Sequence, residues 1–343
     1  MKKLTLLFFI SCLAFFGCKS SPEYSWQTFS IPNEPSLRGI AVFNENIVWV
    51  TGTSGTISKT EDGGQTWTRL FIPSTDSLDF RDIKLFSESE ALVMSAGEGS
   101  KSNLYKTWDA GLTWQLILTN PHPEGFFDGI AFASDHLGYL GGDPVDGKLF
   151  VMKTLDRGDH WLRIDPTLLP PLNEGEFGGF AASGSHLTAF GGHIQIATGG
   201  QSSRIFRSED MGNSWEVIDT PIIQGESSQG VFSIDYFHAT VGVAVGGDYT
   251  KENLGSNNVM LTNDGGKTWT LANDFPVYQS SVRYLSKSNI ISVGPKSSNF
   301  SPDGGKNWHP IEGEGYHTLA ISPQGKVWAA GSGGRIGQLI FNE

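Results

Sequence analysis

Thr60-Glu61-Asp62-Gly63-Gly64-Gln65-Thr66-Trp67 is the first of six copies of one phrase. The others begin at Thr107 (TWDAGLTW), Thr154 (TLDRGDHW), Ser208 (SEDMGNSW), Thr262 (TNDGGKTW) and Ser301 (SPDGGKNW), and all fit Ser/Thr-x-Asp-x-Gly-x-x-Trp. They start 39 to 54 residues apart, the spacing of a repeated supersecondary unit. The phrase reads as a turn. Its Asp (Asp62, Asp109, Asp156, Asp210, Asp264, Asp303) can accept hydrogen bonds from backbone N–H groups just ahead, and the leading hydroxyl can close a similar ring. The Gly two residues later supplies a positive φ. The Trp starts the next strand and offers a large apolar surface to a neighbouring unit. These six Asp residues are therefore expected to hold turns rather than to catalyse.

Working outward, each phrase closes a unit of four short strands. In the first unit these are Leu37 to Phe43, Ile47 to Gly52, Gly55 to Lys59 and Trp67 to Phe71, each bounded by Gly, Asn or Asp. Equivalent runs start at Arg81, Gly129, Gly179, Ser233 and Val282. In the fourth unit, Gly179 to Gly184 (GFAASG) reads as the first strand and Leu187 to Gly192 (LTAFGG) as the second. A seventh unit, Thr318 to Phe341, has three strands and no phrase. Tyr24 to Pro32 (YSWQTFSIP) matches the post-phrase strand and supplies the missing fourth. The expected fold is all-β: a seven-bladed propeller spanning residues 24–343, its last blade completed by the N-terminal strand. Gly331 to Gly337 resembles a dinucleotide fingerprint, but no helix follows, and in register it is a turn between two strands.

Residues 1–17 read as an export signal: Lys2 and Lys3, then an apolar run from Leu4 to Phe16 too short to span a bilayer comfortably. Phe15-Phe16-Gly17-Cys18 resembles a lipobox with Phe in place of the usual Leu, which makes Cys18 the lipidated first residue and residues 18–23 a tether. An ordinary signal peptide is the alternative. Cys12 and Cys18 are the two cysteines, so the exported chain would form no internal disulfide. Without Lys2 and Lys3 the 24 basic residues become 22 against 36 acidic, which disfavours nucleic acid as a partner.

Strand polarity puts the phrases and the turns between first and second strands on one face. The opposite face carries the longer connections, among them Glu98–Asn103, Asp143–Lys148, His193–Ser203 and Asp248–Asn258, and longer loops are where binding concentrates. Candidate binding residues there are Arg38, Arg81, Asp128, Asp143, His193, Asp248, Arg283 and His317. Three arginines converging on one mouth of an acidic protein would take a carboxylate or an acidic peptide. The bland reading pairs each Arg with a nearby Asp. Asp143 and Asp248 follow Gly-Gly and read more simply as turn residues, and the isolated His residues as structural ones. No metal or cofactor is expected, because no His or carboxylate cluster has ligand spacing.

The phrase is the Asp-box, or BNR repeat. Gly52 to Trp67, repeated in seven blades closed by the N-terminal strand, resembles the photosystem II stability/assembly factor family. That resemblance implies a non-catalytic propeller that binds a membrane-protein partner through an arginine patch, with Arg38, Arg81 and Arg283 as loosely corresponding positions. The expected protein is a lipid-anchored, extracytoplasmic, protein-binding scaffold. The alternative is a carbohydrate-active protein: a glycoside hydrolase, sialidase-like or otherwise, or a glycan binder. Phe126, Phe127, Phe177 and Tyr249 could then stack on sugar rings. Asp128, Asp143, Asp235 and Asp248 are available as acids, with nothing in the sequence to pair any two.

Overall fold

The computed structural model describes residues 23–273 and 277–342. The signal segment, Cys18 and the tether up to residue 22 lie outside the described residues. Seven antiparallel sheets follow one another along the chain. Blade one is Leu37–Val42, Val48–Gly52, Thr56–Thr60 and Thr68–Leu70. Blade two starts with Asp79–Leu85, blade three with Phe127–Phe132, and blade six with Ser281–Tyr284. Blade five starts with the long strand Glu226–His238 and carries two short added strands, Glu176–Phe177 and Gly199–Gly200. Blade seven is Thr318–Ile321, Val327–Ala330 and Arg335–Asn342, and Glu23–Ser30 closes it as the outermost strand, from Tyr24 opposite Phe341 to Ser30 opposite Arg335. The seven-bladed propeller and its closure agree with the sequence reading.

The core is divided among the gaps between blades. Trp49, Ile57 and Leu70 of blade one pack on Phe80, Ile83 and Val93 of blade two. Similar layers fill the remaining six gaps, the last joining Trp328 and Ile336 of blade seven to Leu37 and Val50 of blade one. Each Asp-box Trp wedges into the gap behind its own blade, as Trp114 does against Trp49 at 6.3 Å between ring centres.

The Asp-box geometry repeats closely. Thr60 Oγ1 donates to Asp62 Oδ1 (2.8 Å) and accepts from Gly64 N–H (2.9 Å). Asp62 accepts from Thr66 N–H (2.9 Å) and Thr66 Oγ1 (2.6 Å). In the second box Asp109 has the same set from Thr107 and Thr113. Gly64 has φ +92°, and a Cβ there would lie 2.9 Å from Trp328, so packing as well as backbone conformation demands glycine.

Blade four corrects the sequence reading. Its strands are Leu187–Phe190, His193–Ala197, Arg204–Ser208 and Glu216–Asp219. The run expected to be the first strand, around Gly179 to Gly184, is a loop, and the expected second strand is the first. Gly191 makes the turn between them at φ +55°, and the N–H of Met211 in the fourth box donates to the Gly192 carbonyl. The equivalent bond in blade one runs from Gly63 N–H to the Asn46 carbonyl. Asp143–Lys148 is likewise no loop: the hairpin Gly138–Val145 and Lys148–Thr154 turns tightly at Asp146 and Gly147, both at positive φ.

Candidate binding site at the long-loop mouth

Four first strands break their pairing at the same level. In blade one the register steps from Leu37–Gly52 to Gly39–Thr51 and leaves Arg38 over. The same step leaves over Arg81 in blade two, Asp128 in blade three and Phe232 in blade five. A bulge re-aims the surplus side chain. All four line one chamber of about 400 Å³ at the long-loop mouth, completed by Phe126, Asp143, Phe180, Tyr249, Glu252, Tyr278 and His317.

The entry loop of blade four plugs the channel below this chamber. Gly179 to Ala182 line the chamber, whereas Ser183 to Ser185 line a second cavity of about 260 Å³ toward the Asp-box face. The plug is fixed on three sides. Arg81 Nη1 donates to the Ala181 carbonyl (3.1 Å), Ser183 Oγ to the Ser280 carbonyl (2.8 Å), and Ser185 Oγ to Ser233 Oγ (2.8 Å). Gly184 is at φ +70°, where a Cβ would lie 2.1 Å from an Asp82 carboxylate oxygen.

One wall is aromatic. Phe180 stacks on Phe232 with ring centres 4.0 Å apart and planes within 4°, and Tyr278 meets Phe232 edge-on at 4.7 Å. The other wall carries charge. Arg81 Nε donates to Asp79 Oδ2 (2.8 Å), and its guanidinium lies 5.8 Å from the Phe126 ring centre. The Arg38 guanidinium makes no hydrogen bond or ion pair with any of the described residues. Burial and then the charge of Arg81 lower its pKa. Burial, with Arg38 and Arg81 adding to it, pushes the His317 imidazole down to about 3, so this ring is neutral. Its Nε2 lies 2.8 Å from Ser332 Oγ. Asp128 is buried with one oxygen unpaired, and burial together with the neighbouring Asp143 raises its pKa well above the usual range. Both carboxyl groups approach the same point beside Gly178. Among the described residues the mouth therefore offers one unpaired cation, a carboxyl group shifted toward its neutral form and an aromatic floor.

Of the eight candidate residues, five line this chamber: Arg38, Arg81, Asp128, Asp143 and His317. Three do not. Arg283 lies opposite Ile291, nearer the Asp-box end of its strand, and lines the second cavity with Asp82 and Asp235. His193 begins the second strand of blade four and so lies at the Asp-box face. Asp248 is buried behind the mouth. Burial works against its charge, but donors led by Thr250 hold its carboxyl well below the usual range, as its turn role requires. Phe127 is fully buried core, whereas Phe177 and Tyr249 are about half exposed. The sequence reading missed Phe180, Phe232 and Tyr278. Only the pairing register reveals Phe232 as a bulge residue. Among the described residues, no group of three His, Cys, Asp or Glu side chains comes together as a metal site.

The sequence signature of the family described as photosynthesis system II assembly factor YCF48 matches residues 19–119. The chain resembles the YCF48 assembly factors. That stretch holds the closing strand and the first two blades, and with them Arg38 and Arg81. The photosystem II assembly lipoprotein Ycf48 of Synechococcus sp. (strain CC9902) is 31% identical over 101 residues, which is 27% of this chain and 27% of the relative. The match thus spans about a quarter of that relative's length. A solved structure titled YCF48 bound to D1 peptide is 14% identical and covers 92% of this chain and 97% of that one, with a TM-score of 0.63. YCF48 from Cyanidioschyzon merolae is 16% identical, covers 92% and 98%, and scores 0.64. The GH74 xyloglucanase from Xanthomonas campestris is 14% identical and covers 86% of this chain but 56% of its own, with a score of 0.50. At these identities the solved structures speak to the fold.

Proposed function

We propose that this protein is a membrane-anchored, non-catalytic scaffold that holds a carboxylate-bearing segment of a protein partner in its long-loop mouth. One observation carries the reading: a bulge aims Arg38 into an aromatic-floored chamber and leaves its guanidinium without a partner among the described residues. An unpaired, half-buried guanidinium is costly unless a ligand anion completes it. The relatives named for photosystem II assembly, one of them solved with a D1 peptide, support a peptide-binding role for this chamber. Lipidation at Cys18 would hold the protein at an extracytoplasmic membrane surface. The partner would be a membrane or extracytoplasmic protein.

The test is co-purification from cross-linked membranes with the lipidated protein as bait. An Arg38→Ala/Arg81→Ala variant is expected to lose a stoichiometric partner, and Arg283→Ala, which alters the other cavity, to retain it. Equal capture by all three would remove the site from the mouth. Capture of nothing, together with hydrolysis or retention of glycans, would favour the carbohydrate reading, for which Asp128 and Asp143 are the nearest carboxyl pair in the chamber.

A further inference from the structure

The closing strand Glu23–Ser30 fixes which way the propeller faces. Its first residues pair with the end of Arg335–Asn342, at the Asp-box face, and its last lie at the long-loop mouth, where Ile31 N–H donates to the Gly334 carbonyl. Any tether from Cys18 therefore reaches the body at the Asp-box rim of blade seven. Five residue steps span at most about 18 Å. The Asp-box rim of blade seven cannot stand further than that from a membrane holding Cys18.

The same face displays large apolar side chains on the far arc of the ring. Trp108 and Leu112 project from the second box, Leu155 from the third and Met211 from the fourth, with Leu112 81% and Leu155 65% exposed. Phe237 lies at the turn end of the first strand of blade five, and Phe341 beside Tyr24 on blade seven. The equivalent box positions in blades one, five and six are Glu61 and Gln65, Asn263 and Lys267, and Pro302 and Lys306. The apolar set thus belongs to particular blades and is not a property of the Asp-box turn. A ring standing on edge at blade seven would leave blades two to four in water. A ring lying flat brings tether and apolar set to one plane.

We infer that the Asp-box face lies on the lipid bilayer, with Trp108, Leu112 and Leu155 in the interfacial layer, and that the long-loop mouth points away from the membrane. Aromatic and aliphatic side chains gain from that layer without a charge partner. The inference rests on the anchored reading above.

The full lipidated chain would be placed in phosphatidylcholine vesicles carrying a lipid-borne quencher, with an environment-sensitive fluorophore on a single cysteine at position 112, 155 or 254. Leu254 is the reference, exposed on a long loop at the mouth. Vesicle flotation is read on the same samples. Quenching at least twofold stronger at 112 and 155 than at 254, in protein that floats with the vesicles, is the expected result. Equal quenching at all three, or stronger quenching at 254, in floating protein overturns the orientation and leaves the anchor standing. Protein that does not float overturns the anchored reading and the orientation with it. Labels at 112 and 155 that stay unquenched on pure vesicles but become shielded in native membranes assign this face to a protein partner and overturn the inference.

Discussion

Lys106 of blade two and Asp159 of blade three meet at 2.6 Å across the gap between their blades. The lysine is wholly buried, and its Nζ also donates to the Arg157 carbonyl (2.9 Å) and pairs with Glu90 (2.9 Å). Three acceptors for three donors satisfy a charge that could not otherwise lie there. Lys106→Ala is expected to cost about 3 kcal/mol, the low end for breaking a buried pair, because Asp159 is 42% exposed and can return to water. Urea unfolding would measure it.

The box carboxylates set the acid limb of stability. The hydroxyl and then the N–H of the residue four positions on hold Asp62, Asp210 and Asp264 down to about 2. A folded value below the unfolded one confers stability that is present above about pH 4 and is lost as pH falls through about 2. An Asp62→Asn/Asp264→Asn variant should be less stable than wild type at pH 5, and the gap should close between pH 4 and 2. Thermal melts followed by circular dichroism would show it.

Asp82 acts in the opposite sense. Burial lifts it to about 7, against the N–H groups of Ile130 and Ile83, which both donate at 2.8 Å, and the charge of Arg283. The folded protein then binds the proton more tightly than the unfolded chain, so this stability is full below about pH 4 and is lost as pH rises through about 7. Asp82→Asn cannot satisfy both N–H donors and should melt lower than wild type at pH 5. The difference should narrow by pH 8.

Ala110 takes the position after the Asp of its box at φ +61°, where boxes one, five and six have glycine. A residue with a Cβ pays about 1 kcal/mol there. Ala110→Gly should raise the unfolding free energy by up to about 1 kcal/mol, offset in part by the freer unfolded chain. Chemical denaturation with an unchanged m-value would confirm a folded-state effect.

Blade number, closure and the turn role of the box residues were legible because each rests on local chemistry repeated along the chain. Blade four was not. Gly179 to Gly184 copies the small-apolar pattern of a first strand, while the polar Gln195 hides the true second strand His193–Ala197. The Gly191-Gly192 pair, between the two short runs Leu187–Phe190 and His193–Ala197, was the available signal. The mouth was half legible. Arg38 and Arg81 announce themselves as charges at strand starts, but Arg283 does too, and only register places it in the other cavity. Phe180 could not be foreseen while its segment was read as strand.

The pairing of Glu23–Ser30 with Arg335–Asn342 also has a meaning in time. Of the propeller's described strands, the first to be made waits for the last. Until the eight-residue strand Arg335–Asn342 has been made, the closing strand has no neighbour and blade seven no outer edge. Trp26, which in the finished ring lies 4.8 Å from Tyr316, is uncovered for the whole of that interval. A premature stop just short of Arg335 would therefore leave an unclosed ring with two unpaired sheet edges.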